Sequence, residues 1–139
     1  MTIRPYGPGD EEAVIALWRA CDLVRPQNDP RKDIARKLRV NAEWFLVGED
    51  GTGHIVGSVM AGYEGHRGWI NYLAVEPSRQ RLGRGRALMD AAERLLRAAG
   101  CPKINLQVRT TNVDVIAFYE RIGFRRDEVA SLGKRLEVD

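Results

Sequence analysis

The stretch from Trp69 to Gly100 constrains the fold of this 139-residue chain more than any other. It consists of an apolar segment, a turn, a loop rich in glycine and arginine, and a helical pattern. A strand that leads through a glycine loop into a helix leaves several free backbone N–H groups at one place, where they bind anions. The stretch therefore predicts a strand–loop–helix unit with an anion site at the start of the helix.

Four arginines surround the start of this predicted helix, where the helix dipole makes each exposed cation unfavourable by roughly 0.3–1 kcal/mol. A phosphorylated ligand would offset that cost, and a solvated basic face is the alternative. The loop lacks the Gly-Lys-Ser/Thr of a Walker loop, and Leu88 stands where a dinucleotide-binding loop has its third glycine. Both of those nucleotide-binding loops are therefore excluded. The four arginines are Arg79, Arg81, Arg84 and Arg86.

The loop Gln80-x-x-Gly83-x-Gly85, preceded by Val75-x-Pro77, resembles the pyrophosphate loop of the GNAT family of N-acetyltransferases, which bind acetyl-coenzyme A. A second pattern, from Asn112 through Tyr119 to Gly123-Phe124, resembles the second signature of that family. Two independent motifs at a compatible separation support the resemblance more strongly than either alone. Four further segments resemble the small bacterial YpeA-type acetyltransferases: residues 21–30, 65–68, 100–104 and 131–136.

The predicted elements follow the GNAT order: strand, two helices, three strands, helix, strand, helix and final strands. The resemblance implies an α/β (α+β) GNAT fold, a central mixed, mostly antiparallel sheet of about six to seven strands flanked by four helices, in a single domain over residues 1–139. Alternating apolar residues predict a strand over Ile104–Val108 and a last strand pair around Phe124–Glu128 and Leu132–Val138. We also predict helix N-caps at Asp10, Asp29 and Asn112. The apolar stripe of the second helix is expected to consist of Ile34, Ala35 and Leu38. The buried side of the third helix is expected to consist of Leu88, Ala92, Leu95 and Ala99.

The composition limits which partners we expect the protein to bind and where in the cell we expect it to act. No apolar run approaches the roughly 18 residues of a membrane span, and the N-terminus has no signal-peptide core, so we expect a cytoplasmic protein without a membrane partner. Cys21 and Cys101 are too few for a disulfide framework or a metal site. The net charge of +3 is concentrated near one loop, which favours local phosphate binding over nucleic acid.

The resemblance implies two sets of coenzyme contacts. The backbone of Leu73, Ala74 and Val75 pairs with the pantetheine arm as an added strand would, after the strand bulges and splays from its neighbour. The Asn112 side chain reaches the coenzyme, and this role is compatible with the plain helix N-cap that the spacing predicts. The pyrophosphate lies against the loop residues Gln80, Arg81, Leu82, Gly83, Arg84, Gly85 and Arg86.

The resemblance also implies that Tyr119 is the general acid that protonates the leaving thiolate, with a core tyrosine as the alternative. Both familiar bases of the family are absent, because Gln107 and Trp69 stand at their positions. Glu64 and His66 are the remaining local candidates, and we take Glu64 as the predicted base. Three sites are candidates for the acceptor pocket: Tyr63, Tyr72 and the Asn28-Asp29 turn.

These assignments predict an acetyl-coenzyme A-dependent N-acetyltransferase that acts on a primary amine of a small molecule or peptide by direct attack, without a metal. The alternative is a coenzyme A-binding regulatory module without turnover. The sequence does not identify the acceptor amine, and it leaves open whether the sheet edge is shared with a second copy in a homodimer.

Overall fold

The computed structural model describes residues 1–80 and 82–139, so the prediction for Arg81 lies outside the described residues. The chain divides into two compact units, one of residues 1–105 with Asp139 and one of residues 106–138. Among the described residues there is no helix with the length and apolarity that a bilayer crossing requires.

The first unit is built on a five-stranded sheet in the order β1-β2-β3-β4-β5. The first four strands pair antiparallel, and β5 pairs parallel to β4. The predicted mixed, mostly antiparallel sheet is confirmed, with five strands instead of six or seven. The strands are Thr2–Pro5 (β1), Phe45–Glu49 (β2), Ile55–Tyr63 (β3), Gly68–Val75 (β4) and Ile104–Asn105 (β5).

Three helices of the first unit cover the two faces of the sheet: Glu11–Ala20 (α1), Pro30–Lys37 (α2) and Arg84–Ala98 (α3). Neighbouring residues of a strand point to opposite faces. Trp18 of α1 donates a hydrogen bond to Ser58 at 2.9 Å, whereas a Cβ on Gly57 would lie 2.7 Å from Leu88 of α3. Helices α1 and α3 therefore pack on opposite faces, and a glycine at position 57 lets α3 approach the sheet closely.

The apolar core confirms part of each predicted helix face. In α2 only Pro30 and Ile34 are buried, and Leu38 is 42% exposed, so the predicted stripe holds for Ile34 alone. In α3 the buried residue near the C-terminal end is Leu96, and the predicted Leu95 and Ala99 are not buried. Leu95 and Leu96 are adjacent and both apolar, so the sequence pattern does not distinguish which of them faces the sheet. The buried residues of α3 are Leu88, Met89, Ala91, Ala92 and Leu96.

The predicted helix caps have different outcomes. The Asp29 carboxylate accepts a hydrogen bond from the backbone N–H of Arg31 at 2.9 Å and caps α2 as predicted. The Asp10 carboxylate makes no capping bond to α1, because it accepts from the backbone N–H of Gly7 and pairs with Arg4. Asp10 therefore stabilises the turn before α1 and not the helix itself.

The second unit contains one helix, Val113–Arg121 (α4), which ends at Gly123 with a left-handed φ of 105°. The described residues 106–138 form no strand, so the predicted pair around Phe124–Glu128 and Leu132–Val138 is wrong, and the predicted strand from Ile104 ends at Asn105. Four apolar residues that follow α4 are largely exposed. They are Val129, Leu132, Leu136 and Val138, with exposed fractions of 77%, 92%, 87% and 92%.

Candidate active site

Helix α3 begins with free N–H groups, as the sequence predicts. Its N-cap is Gly83, which has a left-handed φ of 76° and offers no side-chain cap, and the first turn contains no acidic residue. The first helical bond runs from the N–H of Ala87 to the Gly83 carbonyl at 3.0 Å. The N–H groups of the three preceding residues therefore have no acceptor within the helix and are available to an anion.

The arginines around this helix start differ in whether a carboxylate neutralises them, which the sequence does not predict. Arg79 pairs with Asp50 at 2.9 Å and with Glu76 at 3.5 Å, which neutralises it locally. In the part of the chain that the structure describes, neither Arg84 nor Arg86 has a carboxylate partner. The unpaired positive charge therefore lies in the first turn of α3.

The Gln80 side chain connects the loop to the end of β4 by a hydrogen bond. Its side-chain amide donates to the Val75 carbonyl at 2.9 Å, and the Cys21 thiol donates to the same oxygen at 3.2 Å. Leu82 is 71% exposed, and apart from the chain neighbours of Gly83 no atom of the described residues lies within 4 Å of a Cβ placed on this glycine. The loop is anchored at one end and accessible at its glycine turn.

Strand β4 contains the predicted bulge. Ser58 pairs with Ala74 and Met60 with Asn71, so two residues of β4, Tyr72 and Leu73, stand opposite Val59 alone. Pairing with β5 is confined to Gly68 with Ile104 and Trp69 with Asn105. Along the β5 side, the predicted contact residues 73–75 therefore have no pairing strand among the described residues.

A buried network around the bulge was not found by sequence reasoning. Trp18 Nε1 donates to Ser58 Oγ at 2.9 Å, and Ser58 Oγ donates to the Tyr72 carbonyl at 2.8 Å. The Tyr72 hydroxyl donates to Asp33 Oδ2 at 2.6 Å. Burial, followed by the hydrogen bond to Asp33 and its charge, raises the pKa of Tyr72. One sequence signal was available: Ser58 interrupts an otherwise apolar strand, and a buried hydroxyl needs hydrogen-bond partners.

In the second unit, Tyr119 lies on α4 and is 8% exposed. Its ring packs edge-on against Phe118 and Phe124, with centroid distances of 5.1 and 5.4 Å. Burial raises the pKa of Tyr119 to about 12, so its hydroxyl is protonated at neutral pH. Asn112 occupies the N-cap position of α4, as predicted, and its side chain makes no capping bond.

The candidate base Glu64 lies in the exposed turn between β3 and β4. Its Oε1 accepts from the backbone N–H groups of His66 at 2.9 Å and Arg67 at 2.6 Å. The carboxylate therefore shapes the turn, and Oε2 is the oxygen left for a proton. Gln107, in the second unit, donates its side-chain amide to the Ser131 hydroxyl.

Known proteins that are similar in sequence and in structure to this chain include named acetyltransferases. The family described as "Acetyltransferase (GNAT) family" matches residues 12–124. A protein of Yersinia enterocolitica named an acetyltransferase is 50% identical over 139 residues, which are 100% of this chain and 98% of that protein. The solved structure of Ard1 from Thermoplasma volcanium is similar with a TM-score of 0.75 and 29% identity, covering 89% of this chain and 82% of that one. Chaetomium thermophilum Naa20, solved with a bisubstrate analogue, is similar with a TM-score of 0.71 and 27% identity, covering 88% of this chain and 70% of that one.

Proposed function

The chain belongs to the acetyltransferase (GNAT) family, and from this premise we propose that it transfers the acetyl group of acetyl-coenzyme A to a primary amine of a small molecule or peptide. The observation that carries the proposal is the bulged strand β4 leading through a left-handed glycine to the uncapped start of α3. The relatives are named acetyltransferases, so the chain is an acyltransferase, and the alternative of a binding module without turnover is not favoured.

The coenzyme is proposed to lie along β4 and the loop that follows it. The N–H groups of Arg84, Gly85 and Arg86 would hold the pyrophosphate, and the helix dipole would stabilise its charge. The free edge of β4 after Trp69 would pair with the amides of the pantetheine arm. The Asn112 side chain makes no capping bond to α4, which supports its proposed contact with the coenzyme.

Acetyl transfer by direct attack requires a donor to the oxyanion that forms on the thioester carbonyl. We place this donor at the β4 bulge, in the N–H of Leu73, because a bulge leaves backbone groups outside the ladder. A single oxyanion donor is worth roughly 2.7–4 kcal/mol where one has been removed from other enzymes. The bisubstrate analogue bound to the similar Naa20 supports a site in which donor and acceptor meet directly.

Tyr119 is proposed to assist the departure of the thiolate. Its pKa of about 12 exceeds that of a thiol, about 8.5, so complete proton transfer to the thiolate is uphill by roughly 3.5 pKa units, or about 5 kcal/mol. A hydrogen bond donated to the developing thiolate avoids that cost. We therefore propose that Tyr119 donates a hydrogen bond to the leaving thiolate and keeps its own proton, and that the thiolate takes a proton from solvent after it departs.

An amine that attacks must first lose a proton, and Glu64 is the proposed acceptor. Oε2 is positioned by the two backbone bonds to Oε1, so the carboxylate presents one oxygen in a fixed orientation. We further propose that residues 1–139 act as one acetyltransferase domain, which is supported by a family match that continues across the boundary after Asn105.

The acceptor is tested by incubating the protein with acetyl-coenzyme A and a panel of amines, polyamines, amino acids and peptides, with release of free thiol as the readout. We expect steady thiol release with at least one primary amine and a mass increase of one acetyl group on that amine. Thiol release that matches the amine-free control throughout the panel would contradict an amine acceptor. Competition by coenzyme A, and none by oligonucleotides, is the expected control for the coenzyme site.

A further inference from the structure

The β4 bulge is fixed by four side chains that come from four different elements. Trp18 and Asp33 belong to α1 and α2, and Ser58 and Tyr72 belong to β3 and β4. Trp18 and Ser58 are both 0% exposed, so their hydrogen bond does not compete with water. A change in any of the four contacts is therefore transmitted to the backbone of the bulge.

Tyr72 adopts a backbone conformation that needs external support. Its φ of 52° lies in the left-handed region, which is strained for a residue with a Cβ. Its ring stacks on Trp18 with a centroid distance of 3.8 Å and an interplanar angle of 14°. Its carbonyl is held by Ser58 at 2.8 Å. The ring and the carbonyl of this residue are thus both immobilised.

The third attachment of Tyr72 is its hydroxyl, which donates to Asp33 at 2.6 Å, a short bond to a charged acceptor. Asp33 lies in α2, where it also accepts from Arg36 at 3.1 Å. Because α2 buries only Pro30 and Ile34, the Asp33–Tyr72 bond is one of the few links between this helix and the sheet. The position of α2 and the geometry of the bulge are therefore coupled.

We infer that Asp33 is a positioning residue that acts through Tyr72 on the backbone of the β4 bulge. The inference rests on the proposed function, in which the N–H of Leu73, the next residue, donates to the oxyanion. Hydrogen bonds weaken steeply as the donor angle falls, so a small rotation of the bulge lowers transition-state stabilisation without closing the coenzyme site. Asp33 and Tyr72 thus affect turnover more than binding of acetyl-coenzyme A.

Two variants remove the bond from opposite ends. Tyr72→Phe keeps the ring on Trp18 and deletes only the hydroxyl, and Asp33→Ala deletes the acceptor. Asp33→Asn retains an oxygen that can accept from the hydroxyl and serves as the conservative rescue. Arg31→Gln is the matched control, because it removes the exposed ion pairs of α2 with Glu11 and Glu12 and leaves the bulge untouched.

We measure kcat and KM for acetyl-coenzyme A, together with hydrogen–deuterium exchange of peptides that cover residues 70–75. Loss of a complete oxyanion donor lowers kcat by about 10²–10³, so we expect a smaller drop of about 10- to 100-fold for Tyr72→Phe and Asp33→Ala, with KM changed by less than about threefold and faster exchange at the bulge. Asp33→Asn should recover most of the activity, and Arg31→Gln should stay within about twofold of the wild type.

Each of these measurements can overturn the inference. It is overturned if Tyr72→Phe and Asp33→Ala keep wild-type kcat, if exchange at residues 70–75 is unchanged while kcat falls, or if Arg31→Gln loses as much activity as Asp33→Ala. A wild-type protein that acetylates no amine would instead refute the proposed acceptor class. The two failures are therefore distinguishable, because the first requires a wild type with measurable turnover.

Discussion

Gly83 is the position at which the proposed phosphate contact is most directly tested. Its φ of 76° costs any residue with a Cβ about 1–2 kcal/mol, and apart from its chain neighbours no atom of the described residues lies within 4 Å of such a Cβ. Replacing Gly83 by Glu or by Lys therefore introduces the same backbone strain without a clash. The two variants differ in the sign of the charge that they place beside the first turn of α3.

The size of the charge effect follows from Coulomb's law. Two unit charges about 4 Å apart interact by about 1 kcal/mol in water and about 4 kcal/mol at an effective dielectric constant of about 20. Because a long exposed side chain turns away from a like charge, we expect a value near the lower limit for Gly83→Glu, or roughly tenfold weaker binding of coenzyme A. Gly83→Lys should bind with similar or higher affinity, so the two dissociation constants differ by about 10- to 100-fold.

Isothermal titration calorimetry with coenzyme A measures these constants, and thermal unfolding measures the shared strain. The matched control is Gly100→Glu at the other end of α3, where φ is 83° and the Cβ position is also open. Helix α3 has 15 residues, and at about 1.5 Å per residue its two ends are roughly 22 Å apart. Equal affinities for Gly83→Glu and Gly83→Lys, or an equal loss in Gly100→Glu, would refute a phosphate at this loop.

Four further outcomes are expected. Tyr119→Phe should lower kcat at least about tenfold with little change in coenzyme affinity, and wild-type activity in that variant would remove Tyr119 from the mechanism. Glu64→Gln keeps an acceptor for the turn but cannot accept a proton, so steady-state kinetics should show lower turnover, and full activity would exclude Glu64 as the base. Gly57→Ala overpacks the sheet against Leu88 and should lower the free energy of unfolding by about 1–3 kcal/mol in urea titrations, whereas an unchanged value would show that α3 moves aside freely. Because burial raises the pKa of Tyr119 from 10.0 to about 12 on folding, this residue should lower stability by about 1.4 kcal/mol per pH unit between pH 10 and 12 and leave it unaffected below pH 10. This loss adds to that from Tyr72, whose pKa is also raised. Denaturant titrations in which the wild type and Tyr119→Phe show the same slope in that range would contradict the contribution of Tyr119.

The sequence predicted the elements whose residues carry local signals. Gly83 and Gly100 mark the two ends of α3, and both have the left-handed φ that favours glycine. Asp29 before Pro30 identified the start of α2 correctly. Local chemistry determines these features, so they are readable without tertiary information.

The features that were missed depend on distant partners. The carboxylate of Asp10 accepts from Arg4 and Gly7 instead of from the N–H groups of α1, and nothing in the local pattern distinguishes these donors. The Tyr72–Asp33 bond joins residues 39 positions apart. Spacing cannot predict such a contact, because it follows from the way α2 packs beside β4.

The exposed ion pairs that attach α2 make the effect of salt on this enzyme informative. The polar links of α2 to the rest of the first unit include Arg31 to Glu11 and Glu12, Arg36 to Asp139, and Lys37 to the Ala61 carbonyl. Ionic strength screens exposed ion pairs, with a Debye length of about 10 Å at 0.1 M salt. Salt therefore weakens these exposed attachments but screens the half-buried Asp33–Tyr72 bond much less, so turnover should persist at high electrolyte concentration if this bond, and not the ion pairs, holds the bulge.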